Sequence, residues 1–306
     1  MTSKRKIAKY IEYIFIRILL GILGMIPFHI RSIILENFML FVSKLLKKNA
    51  LIIQNNIRCA FPEKNEEWVN SIYLKNLKGL GKFAAEFLEI PKMKKQKYKN
   101  KIVCSPSRNK IIEYLSDGGL VVLGHMGNWE MHGSLFSQWL PPEKLYAITS
   151  RQSNPWVDKY IEKVRNAGGA RSVFTDGSSI RYLKLLKGKK VLCFLADQNA
   201  GKNGKFFQFL NRPASTHLGP AVFARVSGVK TFFAYSTREK GKIHAYFEVM
   251  EKPSINPEKY PEKWDIEFTK IWLRKLEEAI KEHPEEYFWA HNRWKAIPLA
   301  TDKIFI

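Results

Sequence analysis

Residues 124–130 read GHMGNWE. His125 ends an apolar run, GGLVVL at 118–123, and Glu130 follows five positions later, with Gly127 and Asn128 between them. An imidazole near its own pKa takes a proton from a substrate group when its other ring nitrogen is fixed. A carboxylate on that second nitrogen sets the tautomer and stabilises the imidazolium that forms. The spacing therefore leads us to expect a general-base dyad in which Glu130 orients His125. No serine or cysteine stands at an elbow beside it, so the nucleophile is expected to be a hydroxyl of the substrate. Gly127 lets backbone approach a ligand closely. The competing reading of the same residues is an ordinary helix start next to an unconnected histidine.

The elements that must position these groups alternate along the chain. A helix is expected from Asn65 to about Leu88. From Ile111 onward, helical text leads into strands at 120–125, 145–149, 171–174 and 191–196. Helices fall between them at 128–140 and 155–167. A long loop, 197–216, leads to a helix at 217–228. Strands at 230–236 and 242–250 follow, joined as a hairpin, and then a helix at 258–283. Such alternation points to an α/β fold with a largely parallel central sheet flanked by helices. Ligands gather at the carboxyl ends of parallel strands. His125, Arg151 after strand 145–149, and Asp197 with Gln198 after strand 191–196 then share one edge.

The length, 306 residues, suits one catalytic domain, 49–306, behind an N-terminal segment, 1–48. That segment opens with four basic residues in its first nine. Residues 11–30 are mostly aliphatic but hold Glu12, Arg17 and His29. A charge at the centre of a spanning helix costs about 2.5–3.5 kcal/mol. Residues 31–48 repeat the amphipathic pattern. Both stretches are expected as membrane-embedded or interfacial helices with basic flanks.

There are 51 Lys and Arg against 28 Asp and Glu, a net charge of +23. This suggests an anionic partner: nucleic acid, a membrane surface or an acidic protein. No nucleic-acid-binding motif is present, so that partner is not expected. The basic run at 92–101 is expected to be a solvated loop, or a contact for lipid headgroups or an acidic carrier. Cys59, Cys104 and Cys193 are scattered and the histidines lack ligand spacing, so no metal is expected. No phosphate or dinucleotide glycine loop appears, and no cofactor is expected.

Further blocks narrow the reading. They are IRCAFPE at 57–63, SRQSNPWVDKYIEKVR at 150–165, ADQNAG at 196–201, RPASTHLGPAVFARVSGV at 212–229 and EEYFWAHNRWK at 285–295. With the His125/Glu130 spacing, and in this order, they resemble the lysophospholipid acyltransferase superfamily. Within it the chain looks like the bacterial lipid A late acyltransferases and the related phosphatidylinositol mannoside acyltransferases. The resemblance covers nearly the whole chain.

It implies transfer of a fatty acyl group from a thioester to a hydroxyl of a lipid A precursor. The thioester would be acyl carrier protein or coenzyme A. The implied location is the cytoplasmic face of the inner membrane. His125 is then the base and Glu130 its orienting group. Arg151 would bind phosphate or the developing oxyanion, with Asp197 holding it or lining the acceptor pocket beside Gln198. Asn128 joins this substrate-binding set. Thr216 would cap a helix beginning near His217, turning amide N–H groups to the pocket. His291 and Arg293 would reach lipid headgroups. The aromatic stretches KFFQF and TFFAY could line an acyl channel or simply pack the core.

Departures from the family pattern are Gln152 where proline is common, Asn199 where an acid is common, and FLN at 209–211. Two other readings use the same dyad: acylation of a different glycolipid or lysophospholipid, and hydrolysis with water as acceptor.

Overall fold

The computed structural model describes residues 3–93, 102–175 and 179–306. Four helices come first: α1 (Ser3–Met25), α2 (Phe28–Leu45), α3 (Lys47–Ala60) and α4 (Glu66–Phe87). The α/β part continues with β1 (Ile102–Ser105), α5 (Arg108–Leu115), β2 (Gly119–Leu123), α6 (Trp129–Trp139), β3 (Leu145–Thr149), α7 (Pro155–Gly168), β4 (Arg171–Phe174), α8 (Ser179–Lys187) and β5 (Val191–Leu195). It ends with β6 (Lys205–Phe209), β7 (Arg212–Thr216), α9 (Gly219–Ser227), β8 (Thr231–Glu239), β9 (Lys242–Val249), α10 (Pro261–Glu282) and β10 (Ile304–Phe305).

Among the described residues the main sheet runs β1-β9-β8-β2-β5-β3-β4. Every neighbouring pair is parallel except the β8–β9 hairpin. The sheet is thus mixed but mostly parallel. β2 sits inside it and all five of its residues are buried. Helices cover both faces, so a strand there reads GLVVL without polar alternation.

Register then decides the site. Leu123 of β2 pairs with Leu195 of β5. His125 and Asp197 each lie two residues further on, so they leave the same edge side by side.

Two strands arise inside the expected loop at 197–216. β6 and β7 form an antiparallel hairpin, with β10 paired to β6. Its two-residue turn holds Leu210 (φ 45°) and Asn211 (φ 64°). Such turns are usually announced by Asn-Gly or Asp-Gly. Leucine at positive φ hid this one.

The first helix is amphipathic in the reverse sense. Its polar groups face the protein: Asn154 Nδ2 donates to the Lys9 carbonyl (2.7 Å) and to Glu12 Oε2 (3.1 Å). The Arg17 guanidinium lies 4.4 Å from the Tyr160 ring centroid. Ile7, Ile11, Phe15, Ile18, Ile22 and Met25, at helical spacing, are exposed. α2 exposes Ile30, Ile34, Phe38, Phe41 and Leu45 in the same manner.

α2 also locks onto α4. A Cβ at Gly81 would fall 2.5 Å from the Leu35 carbonyl oxygen, so glycine is what permits the approach. Arg31, fully buried, bonds the carbonyls of Leu23 (3.2 Å), Ile26 (3.3 Å) and Ala85 (3.1 Å), and Glu89 Oε1 (2.5 Å). Burial works to raise the Glu89 carboxyl, but Arg31 and Lys92 hold it below the usual range.

The inner-membrane placement expected from sequence is corrected here. Among the described residues no helix is long and apolar enough to cross a membrane. Glu12 and Arg17, which interrupt residues 11–30, are among the contacts that tie α1 to α7 and its N-cap Asn154. Most of the basic run at 92–101 lies outside the described residues.

Candidate active site

His125 Nδ1 lies 2.6 Å from Asp197 Oδ1, and the His125 backbone N–H donates to Asp197 Oδ2 at 3.0 Å. Asp197 is 2% exposed. Burial alone would raise its carboxyl. The His125 ring, the His125 backbone N–H and nearby Arg293 outweigh burial and hold it below the usual carboxylate range. An ionised Asp197 keeps the proton on Nδ1, which leaves Nε2 as the acceptor. The ring is flanked by Trp129 at 4.9 Å and Phe288 at 6.1 Å between centroids.

Glu130 is not the partner of His125. Both its oxygens are taken by Arg165, Nη2 to Oε1 at 2.5 Å and Nε to Oε2 at 2.9 Å. Glu130 sits in the first turn of α6 and Arg165 in the last turn of α7. The two helices pack, so the carboxylate turns sideways to α7 and leaves the imidazole to β5. Burial opposes the Arg165 charge, but Glu130 and Glu162 more than offset it and raise its pKa.

Glu130→Gln accordingly leaves the His125–Asp197 pair intact. We expect it to cost about 1–3 kcal/mol of stability and at least tenfold less activity than a change at Asp197. Denaturant midpoints and kcat measure both. A kcat loss as deep as that at Asp197 would return the orienting role to Glu130.

His125, Glu130, Arg165 and Gln198 line one end of a cavity of about 530 Å³. Its walls pass down the sheet and α6 through Leu123, Phe136, Leu145, Ala147, Cys193 and Leu195. Burial pushes the Cys193 thiol up to about 12, so it is inert lining. The aromatics of KFFQF and TFFAY take no part: Phe206, Phe207, Phe209, Phe232 and Phe233 are buried in the core. A hollow of about 740 Å³ between the α1–α2 turn, α4 and β9 includes neither His125 nor Asp197.

Residues 1–296 match the sequence profile of the bacterial lipid A biosynthesis acyltransferase family. The chain belongs to that family. It is 24% identical over 261 residues to the lipid A biosynthesis lauroyltransferase of Escherichia coli K12, covering 83% of this chain and 82% of the relative. It is 22% identical over 266 residues to that organism's lipid A biosynthesis palmitoleoyltransferase, covering 85% and 83%. A lipid A biosynthesis acyltransferase of Shigella flexneri matches with the same identity and coverage. The protein is therefore an acyltransferase of lipid A biosynthesis.

Arg151, Asn128, Thr216, His291 and Arg293, also expected at the site, are each bonded to neighbouring groups of this acyltransferase. Arg151 is held by Asp158 (3.2 Å), not Asp197, with its guanidinium 3.6 Å from the Phe174 ring centroid. Asn128, 1% exposed, is the N-cap of α6, accepting from Met131 N–H at 3.0 Å and donating to Glu86 Oε2 at 2.8 Å. Thr216 is no helix cap, because α9 begins at Gly219 after Leu218. Its hydroxyl donates to the Ala214 carbonyl and accepts from Arg293 Nη2 at 2.7 Å.

Arg293, 1% exposed, also donates to the Ser215 carbonyl (2.5 Å). His291 Nε2 accepts the Asn199 N–H at 3.0 Å. Arg293 therefore holds the end of β7, and the half-buried His291 holds the segment after β5 in which Asp197 sits.

The C-terminal segment is a brace. Phe288 N–H donates to the His125 carbonyl and Gly127 N–H to the Glu286 carbonyl, each at 2.9 Å. Burial, and after it the nearby Asp197 charge, push the buried Tyr287 phenol well above its ordinary value. Asn56 Nδ2 bonds the carbonyls of Trp289 and His291, and Asn76 Nδ2 those of Glu285 and Tyr287. Gly127 (φ 58°) lets the loop touch β8, since a Cβ there would lie 2.2 Å from the Ser236 carbonyl oxygen.

Sequence reasoning missed Arg165, Tyr287 and the two asparagines. Arg165 closes the block at 150–165, which was a usable signal. The other three make bonds spanning more than 200 residues, which spacing along the chain does not announce.

Proposed function

We propose that this acyltransferase moves a fatty acyl group from a thioester, on acyl carrier protein or coenzyme A, to a hydroxyl of a lipid A precursor. The observation that carries this reading is the buried Asp197 carboxyl bonded to His125 Nδ1 at the polar end of a cavity whose inner lining is apolar. The cavity suits a hydrocarbon chain. The net charge of +23 favours an acidic carrier and a phosphorylated acceptor. The names of the curated relatives, lauroyl- and palmitoleoyltransferase, agree with a fatty acyl donor.

In the reaction His125 Nε2 takes the proton of the acceptor hydroxyl as its oxygen bonds the thioester carbon. Asp197 stabilises the imidazolium through Nδ1–H. The tetrahedral oxyanion then expels the thiolate as the C–S bond breaks, and His125 returns the proton to sulfur. The products are an ester and a free thiol. Gln198, at the same end of the cavity, is the side-chain amide available to the oxyanion.

The exposed stripes of α1 and α2 are the contact for a lipid surface, lying on it rather than crossing it. Phe15→Asp with Ile18→Asp should at least halve the fraction sedimenting with anionic phospholipid vesicles. An unchanged fraction removes this role from α1.

The deciding experiment is mass spectrometry of lipid A from cells with the gene, without it, and with His125→Ala. Loss of one acyl mass in both altered strains is expected. Unchanged lipid A in both moves the acceptor to another glycolipid.

A further inference from the structure

α6 carries a glycine that its packing does not require. Gly133 lies inside the helix, where glycine is less stable than alanine. Among the described residues, a Cβ built there meets no heavy atom within 4 Å beyond its chain neighbours and its own helix backbone. Gly168 on α7 is the contrast: its Cβ would strike Ser134 Oγ at 2.3 Å and Ile90 Cγ2 at 2.8 Å. That glycine exists for close helix contact. Gly133 lines the cavity of His125, and the free space beside it is the cavity.

We propose that Gly133 gauges the length of the acyl chain this enzyme accepts. The inference rests on reading the cavity as the acyl site. α6 enters at the polar end with Glu130 and reaches the wall residue Phe136 six residues later, about 9 Å at 1.5 Å per residue. The facing wall, Thr149 back to Leu145, spans roughly 13 Å at 3.3 Å per residue. Gly133 stands midway on the helical side. Beyond it the lining is apolar: Phe136, Leu145, Ala170 and Cys193. This inner half takes hydrocarbon, and a side chain at 133 would fill the passage into it. The missing Cβ keeps the inner half open to the far end of a long chain.

The test is calorimetric titration of the full chain with decanoic, dodecanoic, tetradecanoic and hexadecanoic acids. Gly133→Leu should weaken the longest acid at least tenfold relative to the shortest, and Gly133→Ala by less. Gly133→Ala should unfold at or above the wild-type temperature, so its weaker binding is not misfolding. If Gly133→Leu fails to fold, Gly133→Ala and Gly133→Val carry the comparison. A longest-to-shortest ratio that no variant changes overturns the gauge.

The same titration on His125→Ala separates the two readings. Length-graded binding that persists where even the wild type transfers no acyl group removes the reaction and supports the gauge. Acyl transfer by the wild type with chain lengths indifferent to residue 133 removes the gauge and leaves the reaction standing.

Discussion

Asp197→Asn should lower kcat by about a thousand- to ten-thousand-fold while the chain still folds. Asparagine keeps an oxygen for the His125 backbone N–H, which now donates at 3.0 Å. Its amide N–H, however, would face Nδ1 and drive the ring proton to Nε2, the nitrogen that must accept. Changing the orienting carboxylate to its amide has an effect of about ten-thousand-fold in a Ser-His-Asp triad. The measurement is kcat and KM for a thioester donor beside a thermal midpoint. A kcat within tenfold of wild type would sink the orienting role.

The same variant tests a pH effect. Asp197 is held below its ordinary value in the folded state, so on acidification the unfolded chain takes up the proton first. The stability it contributes is present above the unfolded carboxyl value, about 3.9, and is lost as pH falls through the folded one. Asp197→Asn should therefore show a shallower loss of stability below about pH 4 than wild type. Parallel acid-unfolding curves would contradict this.

Arg238→Ala should cost stability most, about 3–5 kcal/mol. The guanidinium lies between Glu86 Oε2 (2.8 Å) and Glu286 Oε2 (2.5 Å), and all three side chains are 8% exposed or less. Removing it strands two buried carboxylates. Activity should fall as well, because Glu86 receives the Asn128 amide that caps α6, and the Glu286 carbonyl receives Gly127 N–H in the His125 loop.

Burial already raises the Glu286 carboxyl, only partly countered by Arg238. A raised carboxyl stabilises the fold at low pH and loses that contribution as pH rises through its folded value. Without Arg238 the loss deepens, so the deficit should be smaller at pH 5 than at pH 8. Urea midpoints at both values measure it. An equal deficit would mean that Glu286 is relieved by solvent.

Much of the α/β order was legible because its signals are local. β3 and β4 fall on the residues expected, and β2, β5 and the β8–β9 hairpin differ only at their ends. β2, β3 and β5 are largely apolar runs. The β6–β7 hairpin was illegible because Leu210 and Asn211 are a poor turn advertisement and KFFQF lies in text dense with Gly, Lys and Asn. β1 is four residues paired only at the edge, with β9. The direction in which α1 faces was also illegible. Periodicity finds two sides of a helix, but the contacts with Asn154 and Tyr160 decide which one meets protein.

The chemistry divides in the same way. The amino-acid text alone carries the α/β order, the histidine at a strand end, the carboxylates within reach of that edge and the family. These depend on neighbours in sequence, where spacing is information. Which carboxylate meets His125 depended on two distances that spacing does not contain. Strand register sets β5 beside β2, and helix packing turns Glu130 to Arg165. The same holds for Arg293, a charge that the fold buries against β7, and for His291, which it half-buries against Asn199. A charge is buried where partners from distant segments converge on it, and that convergence exists only once the chain has folded.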